Sequence, residues 1–367
     1  MTSVDKRGAT RAIGRRSAIK IAAGVGIAAL SAPAIARRAW GAERLVVADP
    51  GGPYSKGFLE AFHKPFMQQT GIEIVGVARS AAPVAQVRAM VETKAYQWDV
   101  VYLAFAEGDL LSSTNLLDPI DTKGADYAEL PPNLKNQFYS ATDVFATTLG
   151  YNKDKYKANA PRTWADFWNV EKFPGRRSMR KRGYDTPEQA LMADGVAPAD
   201  VYKVLDTDAG WQRMFKKMDA IRKHINVWWD QGSQASQLIK SGEVDMIASY
   251  AARTQAAIDD GAPFAMSWDQ GFYDHGGFSI IKGNPKAELA RKYIAYTANA
   301  QRQGAFTQWL KAGPSNPGAY KYIEASLAKT LPTHPDNFKH LFEVDTKFWA
   351  KWKAKGTEMM NEWLLKG

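Results

Sequence analysis

The segment Arg44–Val77, RLVVADPGGPYSKGFLEAFHKPFMQQTGIEIVGV, decides how the chain is read. Arg44–Asp49 is a short apolar run of strand type. Gly51 and Gly52 turn the chain. From Tyr54 to Thr70 the residues Phe58, Phe62 and Phe66 recur every four positions, the spacing of one helical face. Pro65 lacks a backbone N–H and kinks or shortens that helix, and Gly71 is a natural stop. Ile72–Val77 then reads as a second strand. Strand, helix and strand in one short segment make a βαβ unit, which points to helices packed on a largely parallel sheet.

The alternation continues outward from this segment. Val84, Val87 and Val91 mark a helix, and Trp98–Leu103 a strand. A longer strand covers Val144–Tyr151. Thr163 followed by Asp166 has the spacing of a capping box. Trp211, Met214, Phe215, Met218 and Ile221 share one helical face. Asn226–Trp229 and Val244–Tyr250 read as strands around a helix at Gln234–Lys240. Arg253–Asp260 is a helix closed by Gly261. Phe278–Ile281, a helix near Lys286–Ala300 and a helical region over Phe338–Leu365 complete the chain. A length of 367 residues suggests two domains at about 150 residues each. No repeat and no low-complexity linker divides them, which fits two α/β lobes joined by strands that cross between them.

Composition narrows the function. The chain has no cysteine, which excludes a disulfide scaffold, thiol catalysis, zinc ribbons and Cys-ligated clusters. Its net charge of +10 suggests nucleic acid or an acidic membrane only until the charges are located. Arg15-Arg16 and Lys20 precede the apolar, Ala/Gly-rich stretch Ile21–Ala36, which ends in Ala34-Ile35-Ala36, with Ala42 as a second small-residue site. The stretch is too short and weakly apolar to span a bilayer. It reads as a signal peptide over residues 1–42, with the Arg pair of a twin-arginine signal. Those residues hold eight of the 48 basic residues and one of the 38 acids, which leaves 40 against 37, a net +3. A cut after Ala36 leaves +5. Most of the basicity belongs to the export tag, and the nucleic-acid reading loses its support.

Eight blocks carry a family resemblance: Gly51–Val75, WDVVYL, LLDPID (Leu116–Asp121), LGYNKDKY (Leu149–Tyr156), Pro161–Arg180, ALMADGV (Ala190–Val196), Val227–Met246 and Ser279–Ile294. In this order they resemble exported solute-binding proteins of the spermidine/putrescine type. The resemblance implies an α/β, two-lobed type II periplasmic-binding-protein fold, each lobe a mixed sheet flanked by helices, with hinge crossovers. It implies lobe one over 43–147 with 272–310 and lobe two over 148–271 with 311–367. It also implies a monomeric periplasmic receptor that captures a small solute between its lobes and delivers it to an ABC importer's permease, without cofactor, metal or catalysis.

Ligands of open α/β sheets bind beyond the carboxyl ends of the strands. Here those ends are the loops at Asp49–Tyr54, Ala104–Glu107, Tyr184–Glu188, Gln231–Ser233, Tyr250–Arg253 and Trp268–His275. Candidate ligand contacts are Tyr54, Phe105, Glu107, Tyr184, Asp185, Ser233, Tyr250, Arg253, Asp274 and His275. Polyamine binders grip ammonium groups with aromatic faces and carboxylates. By resemblance Tyr54 and Tyr250 fall on box aromatics and Phe105 within one position of another. Asp274 falls where an aromatic is expected, Gly276 on an ammonium-holding carboxylate and Gly313 on a further aromatic. These departures point to a smaller, more polar solute, amine-bearing or zwitterionic. Arg253 is either a bidentate clamp for an anion or a lobe-stabilising residue. Ser233 is either part of an anion-binding helix start or an ordinary cap. Asp185 pairs an amine or is solvated, and His275 is a polar site residue or a structural histidine.

Two alternatives remain. Ferric-ion or other anion binders share the fold, but the paired lobe-two tyrosines of iron binders have no counterpart, since no Tyr-Tyr dipeptide occurs. An exported hydrolase lacks its motifs: there is no H-E-x-x-H, G-x-S-x-G or G-x-x-x-x-G-K-[ST].

Overall fold

The computed structural model describes residues 43–80 and 83–366. The signal-peptide and twin-arginine readings fall on residues 1–42 and lie outside them. The opening segment folds as its pattern requires. Strand β1 (Arg44–Asp49) pairs in parallel with β2 (Glu73–Ala78), and a helical stretch from Pro53 to Thr70 connects them. Pro65 does not break that helix. The turn before it, Leu59–His63, widens to π-helical hydrogen bonding, which accommodates the N–H that Pro65 lacks. Gly71 closes the helix at φ 73°. Phe58, Phe62 and Phe66 are all buried on the face the spacing assigned them.

The remaining strands are β3 (Val100–Ala104), β4 (Leu117–Asp118), β5 (Lys135–Asn136), β6 (Tyr139–Asn152), β7 (Arg177–Arg180), β8 (Ile225–Trp229), β9 (Met246–Tyr250), β10 (Phe264–Ile281), β11 (Gly313–Pro314) and β12 (Leu341–Glu343). Among the described residues they form one sheet with main order β2-β1-β3-β10-β6-β9-β7-β8. Parallel pairing occupies the flanks, β2-β1-β3 on one side and β9-β7-β8 on the other, and joins the short β12 to β10. The two long strands β6 and β10 run antiparallel between them. The sheet is therefore mixed, a correction to the largely parallel one that the alternation suggests.

Each half of the sheet is covered on both faces. The first half packs Phe58, Phe62, Tyr293 and Phe306 on one side and Val87, Trp98 and Leu111 on the other. The second half packs Trp164, Met214 and Trp349 on one side and Trp229, Leu238 and Ile247 on the other. Full burial of such side chains contributes about 1.5–3 kcal/mol each. A smaller cluster, Leu134, Tyr139, Val144 and Tyr273, sits on the shared strands. The Thr163–Asp166 capping box is present and opens the helix Trp164–Trp168.

Three stretches differ from the pattern reading. Trp268–His275, read as a loop, lies within β10, whose pairing with β6 is interrupted between Ser267 and Phe272 around Gln270 at φ 58°. Arg177–Arg180 is a strand that the pattern does not announce, because both of its arginines are buried. Phe338–Leu365 divides into β12 and one long helix, Thr346–Leu365. Residues after β10 do not all join the second half: Ser315 donates to the Ala141 carbonyl and Asn316 to the Ala298 carbonyl.

At the join, Gly276 faces Ala104 of β3 and Asp143 of β6. A Cβ there would lie 1.5 Å from the Tyr102 hydroxyl oxygen. The Tyr102 side chain therefore fills the space that a side chain at this position would need. Gly276→Ala is expected to displace Tyr102 and cost about 1–3 kcal/mol by overpacking. Thermal denaturation checks this, and an unchanged melting temperature would refute the close approach.

Candidate functional site

A cavity of about 360 Å³ lies where β6 and β10 pass between the halves. The first half contributes Pro50, Tyr54, Arg79, Tyr102, Ala104, Ala106 and Glu107, which follow the carboxyl ends of β1 and β2 or lie on and just after β3. The shared strands add Phe145, Thr147, Phe272 and Asp274. The second half supplies Arg182, Tyr184 and Asp185 after β7, Tyr250, Ala252 and Arg253 from the end of β9, and Trp349 and Lys353 from the helix Thr346–Leu365. Leu310, Ala312 and Val344 complete the lining.

Seven of the ten residues expected from sequence line this cavity: Tyr54, Glu107, Tyr184, Asp185, Tyr250, Arg253 and Asp274. Phe105, Ser233 and His275 are placed elsewhere. Phe105 stacks on the His275 ring, with centroids 4.6 Å apart. His275 is fully buried, touches the Tyr139 hydroxyl at 3.1 Å and approaches Glu343 at 3.7 Å, so it fastens the hinge strands. Ser233 is exposed in the first turn of the helix Gly232–Lys240, whose N-cap is Gln231.

Sequence reasoning did not single out Arg79, Tyr102, Arg182, Trp349 or Lys353. The strand-end rule would have found Arg79, one residue after β2. It would have found Arg182 as well had β7 been recognised. Trp349 and Lys353 carry no local signal, because only the tertiary course of the last helix brings them to the cavity.

Beneath Tyr54 lies a buried acid, Asp143 of β6. It accepts hydrogen bonds from the hydroxyls of Tyr54 at 3.0 Å, Tyr102 at 3.0 Å and Thr142 at 2.9 Å. No cation pairs with it among the described residues, and burial pushes its carboxyl up to about 6 despite those bonds. The wall of the second half rests on Arg180, which is buried behind the lining. It donates to Asp185 at 2.7 Å and to the Tyr250 hydroxyl, and its guanidinium lies 5.1 Å from the Trp229 ring centre and 4.7 Å from that of Tyr250. One side chain thereby fixes two others that face the cavity. Asp185 is held at φ 75°, ψ −50°, a conformation that costs a non-glycine residue about 1–3 kcal/mol.

Asp274 is the lining carboxylate without a cation among the described residues. Its oxygen accepts the His275 backbone N–H at 2.7 Å. Burial, with Asp185 and Glu107 nearby, pushes its carboxyl up to about 6. Across the lining, Arg79 is bound to Glu107 at 3.4 Å. Arg182, Arg253 and Lys353 have no carboxylate partner among the described residues. The absence of a side chain at Gly232 lets Arg253 lie beside the first turn of the helix Gly232–Lys240, since a Cβ there would come within 2.9 Å of Nε. The cavity is thus dipolar: a free carboxylate on the hinge and free cations on the wall of the second half. Among the described residues no three His, Asp or Glu side chains gather as a metal-holding group.

Behind the cavity, Glu188 accepts from Trp349 Nε1 at 2.8 Å and the Tyr202 hydroxyl at 3.0 Å, and burial raises its carboxyl to about 7. Asp143, Asp274 and Glu188 all hold protons more tightly folded than unfolded. Their contribution to stability is full below about pH 4 and is lost as pH rises through 6 to 7. Against them works His63, which burial lowers to about 4, but three carboxyls outweigh one imidazole, and the ligand-free protein is expected to melt at a higher temperature at pH 5 than at pH 7.5. Glu188→Gln should flatten the upper part of that slope; a profile unchanged by this variant would contradict the assignment.

Two α/β halves that share two long strands and enclose a charged cavity at their join define a two-lobed solute-capturing receptor. The chain belongs to the bacterial extracellular solute-binding protein family, which it matches over residues 61–336. It is 34% identical over 322 residues to the gamma-aminobutyric acid-binding protein of Pseudomonas aeruginosa, covering 88% of this chain and 91% of that one. Among solved structures it resembles the Atu4243–GABA receptor, with TM-score 0.79 and 28% identity over 88% of this chain and 97% of that one. It also resembles the binding protein MotA of A. tumefaciens B6 in complex with glucopine, with TM-score 0.77 and 29% identity over 87% and 99%.

Proposed function

We propose that this protein captures a small solute carrying both an ammonium and a carboxylate, of the gamma-aminobutyric acid type, and hands it to an ABC importer. The observation that carries this reading is the placement of unpaired Asp274 in the same cavity as unpaired Arg253. In a desolvated cavity each free charge is costly alone and favourable with a partner. An amine at Asp274 and a carboxylate at Arg253 answer both. Tyr54 and Tyr250 offer aromatic faces to the ammonium. The relatives' ligands support the same choice, since one relative is a gamma-aminobutyric acid-binding protein.

The lobes are taken as 43–147 with 272–310 and 148–271 with 311–367. The contacts of Ser315 and Asn316 draw the last crossing toward β12. The ligand bridges the lobes only when they are closed, so binding shifts the population toward closure. The chain acts as a monomeric binder without catalysis. It reaches the periplasm through a twin-arginine signal and partners the permease of an ABC importer. A polyamine ligand, as in the spermidine/putrescine-type resemblance, is the second reading, favoured by Tyr54, Tyr250 and the three lining carboxylates.

The test uses protein refolded from denaturant to strip any co-purified ligand. Gamma-aminobutyric acid, putrescine, spermidine and succinate are compared by thermal shift and calorimetry. The amino acid is expected to stabilise by about 2.7 kcal/mol at a hundredfold excess over Kd, with the other three giving little shift. Binding of a polyamine but not the amino acid would overturn the proposal, as would chemical turnover.

A further inference from the structure

We propose that the cavity holds a second anion subsite, formed by Arg182 and Lys353 over the Tyr184 ring, and that the preferred solute is an amine bearing two carboxylates. This rests on the amine-and-carboxylate reading above. Pairing the charges around the cavity leads to it. Glu107 is taken by Arg79 and Asp185 by Arg180. What remains is one carboxylate, Asp274, and three cations, Arg182, Arg253 and Lys353. A solute with one ammonium and one carboxylate satisfies Asp274 and Arg253 and leaves two cations unanswered.

Those two share the Tyr184 ring as a neighbour. The Arg182 guanidinium carbon lies 4.9 Å from the Tyr184 ring centre and Lys353 Nζ 5.2 Å from the same point, so their separation cannot exceed the sum of those distances. Arg180 stands 5.7 Å from that ring as a third cation, and its Nε is buried without a hydrogen-bond partner. A π-face attracts each cation but does nothing to reduce their mutual repulsion. An anion between Arg182 and Lys353 does. Arg182 also donates to the Tyr184 hydroxyl, which ties the guanidinium to that ring. Lys353 is exposed and comes from the helix Thr346–Leu365, so it meets the solute at the mouth of the cavity. The subsite suits a carboxylate attached beside the amine, on the neighbouring carbon or through one methylene on the nitrogen.

The experiment measures calorimetric affinities of refolded, ligand-free protein for three probes. Gamma-aminobutyric acid has no second carboxylate. L-glutamate adds one on the carbon beside the nitrogen, and N-carboxymethyl-gamma-aminobutyric acid adds one through a methylene on the nitrogen. At least one dicarboxylate is expected to bind tenfold or more tighter than gamma-aminobutyric acid, with a steeper loss in high salt. In Arg182→Gln/Lys353→Met the ratio of dicarboxylate to monocarboxylate affinity is expected to fall at least tenfold. Should that double variant not fold, Lys353→Met alone, at an exposed position, should lower the ratio at least threefold. If gamma-aminobutyric acid binds and neither dicarboxylate binds more tightly, the second subsite is overturned while the amino-acid reading stands. If none of the three binds, the amino-acid reading falls and the subsite with it. A ratio unchanged in the variants shows that these cations are not the subsite.

Discussion

Asp274→Asn is expected to weaken binding of an amine-bearing solute by roughly 30- to 1,000-fold, the equivalent of about 2–4 kcal/mol. The carboxamide keeps the volume and the acceptor for the His275 N–H but removes the charge that faces the ligand. The same change should make the ligand-free protein more stable at pH 7.5, because an ionised Asp274 is half-buried there without a cation among the described residues and near two other carboxylates. Loss of affinity together with a gain in stability separates a ligand-facing charge from a structural one. Calorimetry and thermal denaturation of the same preparation provide the check. A variant that loses both affinity and stability would mark Asp274 as structural. Acid has a related effect: as pH falls below about 6, protonation of Asp274 should lower affinity in the wild-type protein and leave the Asn variant nearly flat.

Arg180→Met should have the largest effect on stability. Removing one partner of a buried ion pair typically costs about 3–5 kcal/mol. Here it strands Asp185, whose side chain is 13% exposed, and frees the Tyr250 hydroxyl. Affinity should fall as well, through loss of position rather than loss of contact, since Arg180 lies behind the lining. The double variant Arg180→Met/Asp185→Leu replaces the pair with apolar volume and should recover most of the stability. It should not recover affinity, because Tyr250 remains unanchored. Denaturant melts test the first statement and calorimetry the second; a double variant that binds as wild type would remove Arg180 from the positioning role.

Much of the first half is legible in sequence because its signals are local. The Phe58-Phe62-Phe66 spacing, Gly71 and the apolar runs of β1 and β3 each follow from side chains within a few residues. The hinge and much of the second half are less so. The central stretch of β10, from Trp268 to His275, is rich in polar residues and glycine and resembles a loop. Its strand form comes from pairing with β6, whose residues lie more than a hundred positions away. Strand β7 hides in RSMR because a buried arginine is the exception. Arg177 is tolerated there because the carbonyls of Phe167, Gly175 and Phe173 accept its N–H groups.

The cavity shows the same division. Strand-end reasoning reached Tyr54, Glu107, Tyr250 and Arg253, whose positions follow from the strand before them. At His275 it left a site residue and a structural histidine open, and alternation along the strand turns it away from Asp274 to the opposite face. Asp274 faces the cavity, and His275 faces Tyr139 and Phe105. With the segment read as a loop, that alternation was invisible.

The antiparallel pairing of β10 with β3 also governs when the protein can fold during its synthesis. Gly276 to Ile280 pair with Val100 to Ala104, so the first half lacks its next strand until about 170 further residues have been made. At about 5–20 residues per second that interval is roughly 10–30 s. Throughout it, β3 presents an open edge able to pair with other chains. A fragment ending at residue 147 would keep that edge permanently. The early chain keeps that edge open until β10 emerges, and the second half, although β7, β8 and β9 are made by residue 250, closes its core only with Trp349 and Trp363 of the last helix.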